Sequence, residues 1–237
     1  MKPLYRCFVA VLVAALVAGC GAGRQFVMPA DGSLKLGETT PADAVAMIGE
    51  PISKSSETVT SVERTAGVIS VFSAVRQLGT YEAYNYGFAD TMNSVLIGQM
   101  AGPSPQRTLR LVFWNGKLVG YTSMSNFTED TTDFDDTRIA QVQRGKSTEA
   151  DVRALFGKPG GASIFPLIAL PDGHALIYRY SKDDFNNRER HSKFLSVYID
   201  HTGIVRDMNS SDTVTPIRIQ SNATAPVFFP IIMPKGK

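Results

Sequence analysis

Gly145-Lys146-Ser147-Thr148-Glu149-Ala150-Asp151-Val152-Arg153-Ala154-Leu155-Phe156-Gly157-Lys158-Pro159 is the stretch from which the rest of the chain is read. An earlier segment, Gly37-Glu38-Thr39-Thr40-Pro41-Ala42-Asp43-Ala44-Val45-Ala46-Met47-Ile48-Gly49-Glu50-Pro51, aligns with it without a gap. Seven of the fifteen positions are identical: the entry glycine, the threonine, Ala42/Ala150, Asp43/Asp151, Ala46/Ala154 and the exit Gly-x-Pro. Good caps alone explain one such segment. They do not explain two at the same spacing, so the chain is read as an internal duplication.

Each copy has the marks of a short helix. Thr40 and Thr148 are suited to the N-cap, where a hydroxyl oxygen accepts from a free backbone N–H of the first turn. Pro41 falls at the first helical position, which needs no N–H. Asp43 and Asp151 follow the cap by three residues and place negative charge at the positive helix end. Ala44, Met47 and Ile48, and Val152, Leu155 and Phe156, recur at helical spacing. Gly49 and Gly157 end the helices, and Pro51 and Pro159 prevent their continuation.

The chain begins with a secretion signal. Lys2 and Arg6 give the positive start, Phe8 to Val17 is an apolar run, and Leu16-Val17-Ala18-Gly19-Cys20 closes it. The run is too short for a comfortable membrane span. That closing motif resembles the lipobox of bacterial lipoproteins. The resemblance implies cleavage before Cys20, lipidation of its sulfur and acylation of the new amino terminus. Glycine rather than aspartate at residue 21 implies sorting to the outer membrane, with the rest facing the periplasm. Removing residues 1–19 takes two of the 24 basic side chains and none of the 22 acidic ones. The balance near zero gives nucleic-acid binding no electrostatic support. Cys7 leaves with the signal, and Cys20 is then the only cysteine, so no internal disulfide forms.

Residues 20–33 are small and polar and read as a tether. The first unit, 34–127, then follows its helix with an exposed strand at 52–62, an ambiguous stretch at 63–79, a tyrosine-rich strand at 80–88 and a long loop at 89–106. Asn115-Gly116, between the apolar runs 108–114 and 118–123, is a strong hairpin signal. Residues 128–136 are an acidic linker. Their spacing lacks the glycine and terminal glutamate of a calcium loop, so a solvated link is preferred to a calcium site. The second unit, 137–211, repeats the order: a short helix bearing Ile139 and Val142, the capped helix, an apolar run at 164–170, a strand at 175–180, a charged loop at 183–191 and a hairpin around Asp200 to Gly203. The tail, 212–237, holds Pro216, Pro226, Pro230 and Pro234, which exclude a long helix. Phe228 and Phe229 lie between them, either packed on the chain's own sheet or offered to a partner or lipid surface.

The order Gly-x-x-Thr, helix, Gly-x-Pro, then antiparallel strands ending in a hairpin resembles the SmpA/OmlA (BamE-like) family of outer-membrane lipoproteins. The same order in tandem resembles the fold of the β-lactamase inhibitor protein. The resemblance covers residues about 34–125 and 137–210. The first family implies assembly or scaffolding of envelope proteins; the second implies inhibition of a periplasmic enzyme.

Motifs for catalysis are missing: there is no Gly-x-Ser-x-Gly elbow, His-Glu-x-x-His pair or phosphate-cradling glycine loop. His174, His191 and His201 sit beside turns and read as surface residues rather than metal ligands. No cofactor is expected. Trp114, before the hairpin turn, reads either as a packing residue or as a binding anchor. The expected fold is therefore α+β, with two tandem units, each of short helices packed on an antiparallel sheet. The expected function is a non-catalytic lipoprotein, joined to the membrane through Cys20 and binding another envelope protein through Trp114, Phe228 and Phe229. The alternative is a tethered binder or inhibitor of a periplasmic enzyme.

Overall fold

The structure is a computed structural model that describes residues 21–66, 71–90, 105–184 and 186–217. The signal segment, Cys20, residues 91–104 of the long loop, and the tail from residue 218 with Phe228 and Phe229 lie outside them.

Two helices form where the repeat places them. Helix α1 spans Pro41–Ile48 and α2 spans Glu149–Phe156. In α1 the Asp43 backbone N–H donates to Thr40 Oγ1 at 3.2 Å, and the Thr40 N–H donates to Asp43 Oδ2 at 2.9 Å. In α2 the same reciprocal pair joins Asp151 and Thr148 at 3.2 and 2.8 Å. Both helices stop after about two turns at Gly49 and Gly157, whose φ values of 95° and 77° are unfavourable for any residue with a side chain.

The remaining elements are mostly strands: β1 (Gly21–Gly23), β2 (Ser53–Ala66), β3 (Val71–Asp90), β4 (Gln106–Trp114), β5 (Lys117–Ser125), β6 (Gly161–Ile164), β7 (His174–Asp184), β8 (Glu189–Ile199) and β9 (Val205–Pro216). They join into a single antiparallel sheet of nine strands. Its order is β1-β3-β4-β5-β6-β7-β8-β9, with β2 lying on the same side of β3 as β1. The β4–β5 turn has Asn115 and Gly116 both at positive φ, 49° and 77°, as a tight hairpin of this hand requires.

The expectation of two α+β units is corrected. Strand β5 pairs with β6 through Gly120↔Ser163, Tyr121↔Ala162 and Thr122↔Gly161, so no boundary divides the sheet. The two eight-residue helices and a 3-10 turn at Asp136–Gln141 are minor additions to it. The physical reason is that an unpaired β5 would leave a row of open backbone donors and acceptors, and β6 satisfies them. The connection order of the repeat survives: in each half a capped helix precedes four strands in meander order.

Three further readings change. The described residues of the ambiguous stretch 63–79 are strand: β2 and β3 form a long ribbon from Ser53↔Asn85 to Ala66↔Val71. The charged loop at 183–191 is largely the tip of the β7–β8 hairpin, paired as far as Asp184↔Glu189. The start of the tail, to Pro216, is the end of β9.

Both apolar clusters gather on the face of the sheet that carries the helices. Along β4 burial alternates strictly, with Leu109, Leu111 and Phe113 buried. These pack with Phe26, Ala44 of α1, Tyr84, Tyr86 and Leu118. The second cluster joins Val152 and Phe156 of α2 to Leu176, Tyr178, Leu195, Val197, Ile199 and Val205. Each large side chain so buried contributes about 1.5–3 kcal/mol. Phe134, from the stretch read as a solvated link, is buried in the second cluster, and Phe26, from the stretch read as a tether, in the first.

Candidate functional site

The other face of the sheet is the candidate site. Strand alternation sends Thr108, Arg110, Val112 and Trp114 of β4 to the side opposite the buried Leu109, Leu111 and Phe113. Register extends that face across the sheet. One row runs Arg110, Thr122, Gly161, Ile177, Ser196 and Asn209. A neighbouring row brings Arg179, Phe194 and Ser211 side by side.

A groove of about 420 Å³ lies along these rows. Its floor includes Val112, Thr122, Ile177, Phe194, Ser196 and Tyr198, and Leu167 and Ile168 form a wall. The wall comes from residues 165–173 between β6 and β7. Leu167 rests over Gly120, where even a methyl group would collide with its Cδ1. Arg110 and Arg179 are the only charged side chains among the described residues that line the groove. Burial lowers Arg110, and burial with Arg190 nearby pulls Arg179 down to about 10. Both remain cationic at neutral pH.

Trp114 occupies the end of the same face. Its ring lies 4.5 Å from that of Tyr81, centroid to centroid, and fills the space that a side chain on Gly79 would need. Beyond this pair, β2 and β3 run on as a ribbon from Val59↔Gly79 to Ala66↔Val71, with no third strand beside it among the described residues. The structure thus brings Trp114 onto the grooved face. Cys20, Phe228 and Phe229 fall outside the described residues. Sequence reasoning missed Arg110 and Arg179. Alternation within 108–114 was the available signal for Arg110, but the pairing that sets Arg179 on the same face is not visible in a linear chain.

The remaining polar side chains do structural work. His174 Nε2 lies 3.0 Å from Glu149 Oε2, and His191 lies 3.8 Å from Glu189. Among the described residues, no three His, Cys, Asp or Glu side chains gather as a metal site requires. Asp200 closes the β8–β9 turn. It accepts from the Thr202 hydroxyl at 2.6 Å, the Thr202 N–H at 2.8 Å, the Ile204 N–H at 3.1 Å and Arg206 Nε. Those bonds, the Thr202 hydroxyl first, hold its carboxyl far below the usual range. A smaller cavity of about 270 Å³ on the helix face is walled by residues 28–32, 129–132 and 158–160.

No protein-family model, curated protein or solved structure matches this chain. Among the described residues no helix is long and apolar enough to cross a membrane.

Proposed function

We propose that the protein is a lipid-anchored, non-catalytic envelope protein that docks other outer-membrane or periplasmic proteins on the open face of its sheet. The observation that supports this most is the groove itself. A sheet face carrying Trp114, Tyr81, Phe194 and Tyr198 around two half-buried arginines has the composition of protein-binding surfaces, in which aromatic residues and arginine are enriched. The lipobox-like run ending at Cys20 supports membrane attachment, and the paired Gly-to-Pro motifs support kinship with SmpA/OmlA lipoproteins.

The test is photo-crosslinking in cells from a reactive residue at position 114, with His201 on the far turn as a control position. Envelope proteins captured at 114 and not at 201 support docking. Cys20→Ser should abolish incorporation of labelled palmitate and reduce that capture. A β-barrel assembly protein as the captured species favours scaffolding, and a periplasmic enzyme favours the tethered inhibitor. Equal capture at both positions refutes the docking face.

A further inference from the structure

We infer that copies of the chain join edge to edge, β9 of one against β2 of the next, by the same strand pairing that joins the two halves within a chain. The contact lies at the edges of the sheet and does not depend on what the groove binds.

The two halves repeat in backbone detail. The Gly37 N–H donates to the Leu118 carbonyl at 2.7 Å, and the Gly145 N–H to the Val205 carbonyl at 2.7 Å. The Leu118 N–H returns to the Thr39 carbonyl at 2.8 Å, and the Val205 N–H to the Ser147 carbonyl at 2.9 Å. The register then slips at the same place in each half, between Val112 and Phe113 on β4 and between Tyr198 and Ile199 on β8. Val205 thus stands for Leu118, and Asp207, Met208 and Asn209 stand for Gly120, Tyr121 and Thr122. At the other end, Ser53, Lys54 and Ser55 follow Pro51 as Gly161, Ala162 and Ser163 follow Pro159. Strand β9 is therefore a second β5, and the start of β2 is a second β6.

Inside the chain β5 and β6 meet. Strands β9 and β2 have no neighbouring strand on their outer sides among the described residues. An open strand edge is a template for a further strand. The internal register Gly120↔Ser163, Tyr121↔Ala162 and Thr122↔Gly161 becomes Asp207↔Ser55, Met208↔Lys54 and Asn209↔Ser53 between copies. No like charges face one another in it. The backbone is turned the right way: the Ser123 N–H donates to the Gly160 carbonyl at 2.7 Å, so residues 121 and 123 point toward β6 and Met208 points outward. Arg144 Nη2 holds that place now, donating to the Met208 carbonyl at 3.2 Å and lying 2.8 Å from Asp207 Oδ1. Its side chain is 59% exposed and swings aside for pairing. Ser53 and Asp207 stand where the internal junction has two glycines in close approach, so the copies meet at ordinary strand spacing, in a short and reversible contact. Head-to-tail contacts of this kind build rings or filaments. The row on the grooved face would run on from Asn209 of one copy to Ser53, Asn85 and Arg110 of the next.

Disulfide trapping with the full chain in cells tests this. Asn209 and Ser53 would form a pair without mutual hydrogen bonds, with Cα atoms about 4.5 Å apart, which a disulfide spans. Within one chain they lie seven strand spacings or about 34 Å apart. The double variant Ser53→Cys with Asn209→Cys, treated with a mild oxidant, should give covalent oligomers of the chain, and neither single variant should. Co-expressed single variants should stop at a dimer. Adding Lys54→Pro, which removes an outward N–H from an edge strand, should abolish the oligomers, and adding Arg144→Ala should increase them. If the double variant folds poorly, Ser55→Cys with Asp207→Cys replaces it. Absence of oligomers from both pairs overturns the inference. So do oligomers that survive Lys54→Pro, and so does a crosslink from Asn209→Cys alone, whether to its own kind or to another protein.

Discussion

Arg107 Nε stands 2.6 Å from Asp130 Oδ2, and this pair locks together parts of the chain that lie far apart in sequence. The same guanidinium donates to the Phe26 carbonyl at 3.0 Å and to Glu129 at 3.1 Å, and lies 4.7 Å over the Phe127 ring. An N-terminal stretch, a central strand and the acidic connection between the two halves thus meet at one side chain. Arg107 is 8% exposed, so its partners face little competition from water.

Arg107→Met should therefore destabilise the protein by about 3 kcal/mol, because Asp130 keeps its charge in a shielded place without its partner. Urea denaturation measures it. The double variant Arg107→Met with Asp130→Leu should recover part of the loss, since replacing both members of such a pair is tolerated better than breaking it. A single variant within about 0.5 kcal/mol of wild type would show that the pair is dispensable.

Tyr86 offers the reverse case. Its hydroxyl is buried with no hydrogen-bond partner among the described residues, and burial pushes its pKa up to about 12. Tyr86→Phe removes an unsatisfied polar atom while keeping the ring that packs 5.7 Å from Phe26. The expected result is a gain of about 1 kcal/mol, read as a higher urea midpoint. A loss of stability would mean that the hydroxyl has a partner in solution.

Asp43, Asp151 and Asp200 are among the carboxylates that set the response to acid, with Asp135 and Asp184 also lowered. Asp43, Asp151 and Asp200 are all held below the ordinary value of 3.8 in the folded state. The Thr40 hydroxyl contributes most at Asp43, the Thr148 backbone N–H at Asp151 and the Thr202 hydroxyl at Asp200. A lowered folded pKa means that the unfolded chain binds protons first. Their stabilisation is complete above the unfolded value and disappears as pH falls through the folded ones. The wild-type thermal midpoint should fall below about pH 4, and Asp200→Asn should be less stable at neutral pH with a shallower acid dependence. Parallel acid curves for the two proteins would exclude Asp200 from this role.

Trp114 is the only tryptophan, so its emission reports on one place. Gly79→Val puts a side chain where the Trp114 ring lies. The ring should be displaced toward solvent, with a red-shifted emission and weaker capture from neighbouring positions on the grooved face. Unchanged emission would mean that the ring packs elsewhere in solution.

Local features were legible and long-range ones were not. The caps at Thr40 and Thr148, the glycine stops and the Asn115-Gly116 turn depend on a few neighbouring residues, and the structure has each of them. The ambiguity at 63–79 arose because Val68, Ile69, Val71, Phe72 and Val75 suit a helix while their β-branched content also allows a strand; for the described residues the pairing of β2 with β3 decides it, and pairing is not local. The union of the two halves depends on Gly120 to Thr122 meeting Gly161 to Ser163, about forty residues on, which no periodicity announces. The same long-range contact sets Arg110 and Arg179 around one groove, which is why the site was only partly readable through Trp114.

The pairing of β1 has a mechanical consequence. Gly21, the residue after Cys20, is hydrogen-bonded into the sheet opposite Asp90, at one end of β3. The Ala66↔Val71 end of the ribbon is at the opposite end of that strand, twenty residues away or about 65 Å at strand rise. With an acyl chain on Cys20, as the lipobox-like run implies, the link from lipid to sheet would be about one residue long, and the far tip would reach no more than about 65 Å above the headgroups.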